Sequence, residues 1–94
     1  MTERPQIVAD LGGTNTRVAQ AAGGQVVAGS LRRYANRDFD GLEAVLARYL
    51  DEVGLTAPSG LCVAAAGLVR DGATALTNLD WVVRTDRLAE ATGV

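Results

Sequence analysis

Histidine is absent from the 94 residues, and cysteine occurs once, as Cys62. Without His, no Ser-His-Asp or Cys-His catalytic constellation forms within the chain. A zinc site has almost no ligands to draw on. A single Cys makes no internal disulfide. In the apolar run Leu61-Cys62-Val63-Ala64-Ala65 it is expected to act as a small buried hydrophobe. Aromatics are scarce, so Ala, Val and Leu supply the apolar mass. No apolar run reaches the roughly 20 residues that cross a bilayer as a helix. There is no basic block either: the formal net charge is -2, and nothing in the balance points to nucleic acid or an anionic membrane as a partner. Residues 1–5 show no basic-then-apolar targeting pattern, so a soluble cytoplasmic protein is expected. What is present is ample apolar material, 48% of residues, enough for one small packed domain and not for two.

Periodicity divides the chain into alternating strands and helices. Gln6 to Leu11 is nearly continuous in apolar residues and reads as an interior strand. Residues 16–22 form a second strand, Gly23-Gly24 a hairpin turn, and residues 25–34 a third strand. Asn36-Arg37-Asp38 reads as a loop. Asp40, with Glu43 three positions on, has the spacing of a capping box, and Phe39 is placed to staple the helix start. Leu42, Val45, Leu46, Tyr49, Leu50 and Val53 then recur at helical spacing, a core stripe that Gly54 ends. Residues 61–66 are a fourth strand, which follows a helix and so can lie parallel to the first. Asp71-Gly72 joins Leu68-Val69 to residues 73–76 as a hairpin. Thr85 or Asp86 caps a last helix running through Thr92. Arg32, Arg33, Arg37 and Asp38 read as a solvated face that protects a sheet edge.

The densest chemistry lies at the end of the first strand, in Ala9-Asp10-Leu11-Gly12-Gly13-Thr14-Asn15-Thr16-Arg17. Glycines remove Cβ atoms from between main-chain N–H groups and an anion, and they permit positive φ. Thr14, Asn15 and Thr16 add side-chain donors. Asp10 offers a hard oxygen ligand for a hydrated divalent cation. The run lacks the Gly-Lys-Ser/Thr ending of a P-loop and the G-x-G-x-x-G spacing of a dinucleotide fold. A plain tight β-turn accounts for the same residues, with Asp10 bonding the Gly12-Gly13 backbone, and Arg17 suits a phosphate contact or a surface ion pair equally.

The stretch from Asp10 to Arg17 resembles the first phosphate motif of the sugar kinase, actin and heat-shock ATPase superfamily, in the form found in bacterial glucokinases. A second stretch, Ala65-Ala66-Gly67-Leu68-Val69-Arg70-Asp71-Gly72 followed by Leu76-Thr77-Asn78-Leu79-Asp80-Trp81, is similar to the glucokinase segment leading to the sugar site. The family has Pro where Leu68 stands. The resemblance implies an α/β fold: a ribonuclease-H-like N-terminal lobe, with three antiparallel strands, then a helix and a parallel strand, incomplete at the C-terminus. Residues 1–94 would be part of that lobe, with a last helix that has little sheet to cover and marginal stability alone.

The resemblance also implies ATP-dependent phosphorylation of glucose to glucose 6-phosphate, with ATP and Mg²⁺ held at Ala9, Asp10, Leu11, Gly12, Gly13, Thr14 and Asn15, and Asp10 facing the metal. Asn78 would shape the sugar site, and Trp81 is a core anchor or a sugar-stacking ring. The family's catalytic Asp lies beyond Val94, so no catalytic residue is assigned here and the isolated chain is expected to be inactive. Family members commonly dimerise. The alternatives are a broader-specificity sugar kinase of the repressor/kinase group, or a non-catalytic nucleotide- or sugar-binding module.

Overall fold

A computed structural model describes residues 5–55, 58–65, 67–70, 73–76 and 82–93. Its first sheet is built from β1 (Gln6–Leu11), β2 (Asn15–Ala22), β3 (Gln25–Val26), β4 (Arg32–Ala35) and β5 (Gly60–Ala65). β1 and β2 form an antiparallel hairpin in which Leu11 faces Thr16 and Asp10 faces Arg17. β5 lies parallel to β1, with Val8 opposite Cys62. α1 (Leu42–Val53) connects the antiparallel part to this parallel strand. Antiparallel strands, with β3 and β4 in place of a single third strand, then a helix and a parallel strand thus give the opening order of a ribonuclease-H-like lobe. A second, antiparallel sheet holds β6 (Gly67–Arg70), β7 (Ala73–Leu76) and β8 (Val82–Arg84), followed by α2 (Thr85–Thr92). The β6–β7 hairpin follows the expected pairing, Arg70 opposite Ala73. β8 falls where the sequence showed no strand signal.

Alternation along β1 decides where the core sits. Ile7, Ala9 and Leu11 face α1 and are buried, while Gln6 and Asp10 on the other face are exposed. From α1 come Leu42, Val45, Leu46, Tyr49 and Leu50, all on one face. Gly54 takes the left-handed conformation, and Leu55 N–H reaches back to the Leu50 carbonyl at 3.0 Å, closing the helix. α2 packs on α1 and lends Leu88 to the same cluster, so the last helix covers a helix, not the sheet.

Four local expectations are corrected. Residues 25–34 are not one strand. Val18 faces Arg32 and Ala21 faces Val26, so three steps along β2 answer six on the other side. The excess is taken up in a turn at Gly29, whose φ of 76° favours glycine. Ser30 then stitches the gap. Its buried hydroxyl accepts from Gln20 N–H at 3.1 Å and donates to the Val27 carbonyl at 2.6 Å. The capping box is not formed: α1 starts one residue late, with Gly41 at the N-cap and no side-chain cap bond. Glu43 folds back so closely that a Cβ at Gly41 would sit 2.8 Å from its Oε2. At α2 the N-cap is Arg84, and Asp86 instead accepts from Arg87 N–H inside the first turn. Cys62 is exposed. Among the described residues β5 is an edge strand: Leu61 and Val63 face the helices, and Cys62 and Ala64 face out.

Candidate functional site

The β1–β2 turn is short because the strands diverge by only four residues between Leu11 and Thr16. Gly12 N–H donates to the Asn15 carbonyl at 2.9 Å. Glycine suits the close approach there: a Cβ on Gly12 would crowd that same oxygen at 3.0 Å. The glycines with positive φ among the described residues are Gly23, Gly24, Gly29, Gly54 and Gly93, so the positive φ that glycine permits is not used at Gly12-Gly13. The turn gains from glycine at Gly12 through space, and not through an unusual φ.

Asn36 holds the turn from beneath, and nothing in the sequence marked it beyond a loop position. It is 2% exposed. Its Nδ2 donates to the Gly12 carbonyl at 2.8 Å, and its Oδ1 accepts from the Thr16 hydroxyl at 2.7 Å. Its own backbone N–H donates to the Thr14 carbonyl at 2.9 Å. One buried residue thus ties down the turn at three places: its side-chain amide holds the Gly12 carbonyl and the Thr16 hydroxyl, and its backbone N–H the Thr14 carbonyl. Thr16 is wholly buried and gives its hydroxyl to Asn36, so it does not supply the outward donor expected of it. A faint signal was available: a short polar residue at a strand end readily bonds nearby main chain.

Outward, the turn opens on a cleft of ≈ 360 Å³ lined by Asp10, Gly12, Thr14, Asn15, Arg17 and Arg33. Asp10 is exposed at the end of β1, and its Oδ2 accepts from Arg17 at 2.6 Å. Arg17 therefore makes a surface ion pair in this state. Exposed pairs of this kind contribute little to stability, roughly 0–1 kcal/mol. Gly13 and Thr14 are exposed and Asn15 is half-buried. Ala9 and Leu11 flank Asp10 but bury their side chains in the core, so what they offer outward is main chain. Asn78, with Asp80 and Trp81, lies outside the described residues. Among the described residues no group of His, Cys, Asp and Glu is arranged to hold a metal by itself, and no helix is long and apolar enough to cross a membrane.

Across the sheet edge, Arg32 and Tyr34 turn to the helix side. Tyr34 donates to Glu52 on α1, and Arg32 lies 3.5 Å from the same carboxylate. Burial and then the Glu52 carboxylate push the Tyr34 phenol well above its ordinary pKa. Phe39 packs edge-on against Tyr34, and Arg48 lies over its ring. The residues on both sides of Asn36 are thus tied to α1.

A mixed α/β lobe of ribonuclease-H-like order, with a glycine turn after its first strand and a carboxylate beside it, is the class of fold that the resemblance to sugar kinases, actin and heat-shock ATPases implies. Within that class the chain belongs to the glucokinase family, whose model matches residues 7–94. The glucokinase of Xanthomonas oryzae pv. oryzae (strain MAFF 311018) is 37% identical over 93 residues, covering 96% of this chain and 28% of that protein. The glucokinase of Stenotrophomonas maltophilia (strain R551-3) is 35% identical over 95 residues, again covering 28% of its length. The crystal structure of a glucokinase from an Antarctic psychrotroph superposes with a TM-score of 0.83 at 30% identity, over 98% of this chain and 30% of that one. The chain thus spans under a third of the length of these relatives.

Proposed function

We propose that the turn of residues 10–15 binds the phosphates of ATP and that these 94 residues supply the phosphate-binding part of a glucokinase-type enzyme. The single observation that carries this is the clamp. Asn36 engages the carbonyls of Gly12 and Thr14 from the buried side, while the other side of the turn lines an open cleft with Asp10 at its edge. The backbone of a turn held in this way needs no reordering on binding an anion.

The reaction moves the γ-phosphoryl of ATP to the primary hydroxyl of glucose. In such transfers the protein chiefly positions reactants and balances charge. The donor set suits Mg²⁺, a hard cation that keeps most of its waters and takes one or two carboxylates. Asp10 is the residue that would face it, and the bound metal would neutralise phosphate charge. Gly12, Gly13, Thr14 and Asn15 would lie along the phosphate chain. Arg17, paired with Asp10 in the free chain, becomes available to phosphate once Asp10 turns to a cation. Asn78, in the segment similar to the family's sugar-site approach, is assigned to the hexose by that resemblance. No residue of the 94 is assigned as the base. The reading also places the protein in the cytoplasm with ATP and glucose, and in a homodimer when the rest of a glucokinase is present. The test is a Mg–ATP titration followed by backbone amide signals, with Asp10→Ala as the control.

A further inference from the structure

Asp10, Arg17 and Arg33 form one row across three strands. Asp10 faces Arg17 across the β1–β2 ladder, and Arg17 faces Arg33 across the β2–β4 ladder. Directly opposed residues share a face, so all three stand on the outer side of the sheet, and all three line the cleft at the turn. Two guanidiniums placed opposite each other repel, and Asp10 offsets only one of them. Among the described residues Arg33 has no ion-pair partner, and it is exposed. Its neighbour Arg32, on the opposite face of the same strand, is paired with Glu52. The row therefore carries one uncompensated positive charge beside a glycine turn, an arrangement that costs stability in the free chain and is relieved by a bound anion.

We propose that Arg33 is a phosphate-contacting residue, which together with Arg17 holds the polyphosphate chain of the nucleotide along the outer face of the sheet. This rests on the reading of the turn as a phosphate site. When Asp10 is engaged by a cation, Arg17 and Arg33 both face the phosphates. The planar, multidonor guanidinium suits that contact better than a point charge.

The test compares the wild-type chain with Arg33→Gln and Arg32→Gln, which remove the same charge from opposite faces of one strand. Binding of inorganic tripolyphosphate and of Mg–ATP is measured by calorimetry, and thermal midpoints are taken with and without tripolyphosphate. Arg33→Gln should weaken both ligands by about tenfold, the size of one charge-assisted hydrogen bond. It should also raise the ligand-free midpoint and shrink the midpoint gain with tripolyphosphate. Arg32→Gln should change affinity by less than about twofold. Wild-type binding that Arg33→Gln leaves intact, or that Arg32→Gln weakens equally, overturns the role of Arg33 and leaves the turn standing. Failure of the wild-type chain to bind either ligand overturns both readings.

Discussion

Replacing Asn36 by Ala removes the one side chain that joins the Gly12 carbonyl to the Thr16 hydroxyl. The two losses are unequal. The bond to the Gly12 carbonyl is only part-buried, so its loss costs what an ordinary hydrogen bond contributes, about 1 kcal/mol. Thr16 is fully buried, and its hydroxyl is left without its acceptor, which costs about 1–3 kcal/mol. The sum, about 2–4 kcal/mol, is a large fraction of a small domain's stability. It corresponds to a fall in Tm of at least about 8 °C for a chain of this size. Urea denaturation followed by circular dichroism reads it directly. The pairing is isolated by a double-mutant cycle with Thr16→Val, which removes the hydroxyl along with its need for an acceptor. The coupling energy should exceed about 0.5 kcal/mol, with the double mutant less impaired than the two single losses added together. A loss below about 0.5 kcal/mol for Asn36→Ala, or a coupling of zero, would refute the claim that this amide holds the turn.

Two further outcomes follow from geometry elsewhere. The folded-state pKa of Tyr34 is raised, so its stabilisation is complete below the unfolded phenol's value and is lost as pH rises above about 10. Tyr34→Phe should flatten the alkaline fall in urea midpoint; an unchanged fall would show that burial and Glu52 do not hold the Tyr34 phenol neutral in the fold. Exposed Cys62 should react with a thiol reagent in the native chain at a rate within a few-fold of that in urea, whereas strong protection would show that the outer face of β5 is covered.

Much of this arrangement was legible in residue order. The continuous apolar run of β1, the stripe of Leu42, Val45, Leu46, Tyr49 and Leu50, and the stop at Gly54 each rest on local periodicity or on a backbone conformation one residue type favours. The parts that escaped depend on long-range pairing. Ser30 looks like any strand serine until its hydroxyl is seen replacing a ladder bond to Gln20. Asn36 meets Thr16 across 20 positions, a separation to which periodicity is blind. A run apolar throughout implies burial on both faces, yet only the Leu61 and Val63 side of β5 meets the helices, and Cys62 stands exposed. At the site, Asp10 and the glycines announced themselves by type and spacing. Their buttress and the row of Asp10, Arg17 and Arg33 emerge only from strand register.

The central claim is that the turn after β1 seats the phosphates of ATP, and amide mapping tests it most directly. Titrating Mg–ATP into the isotopically labelled chain should shift the backbone amides of Gly12, Gly13, Thr14, Asn15 and Arg17 together, with one saturation curve, and Asp10→Ala should abolish or greatly weaken that response while the fold is retained. Saturable binding whose shifts fall elsewhere, or shifts at the turn that Asp10→Ala leaves untouched, would contradict the account.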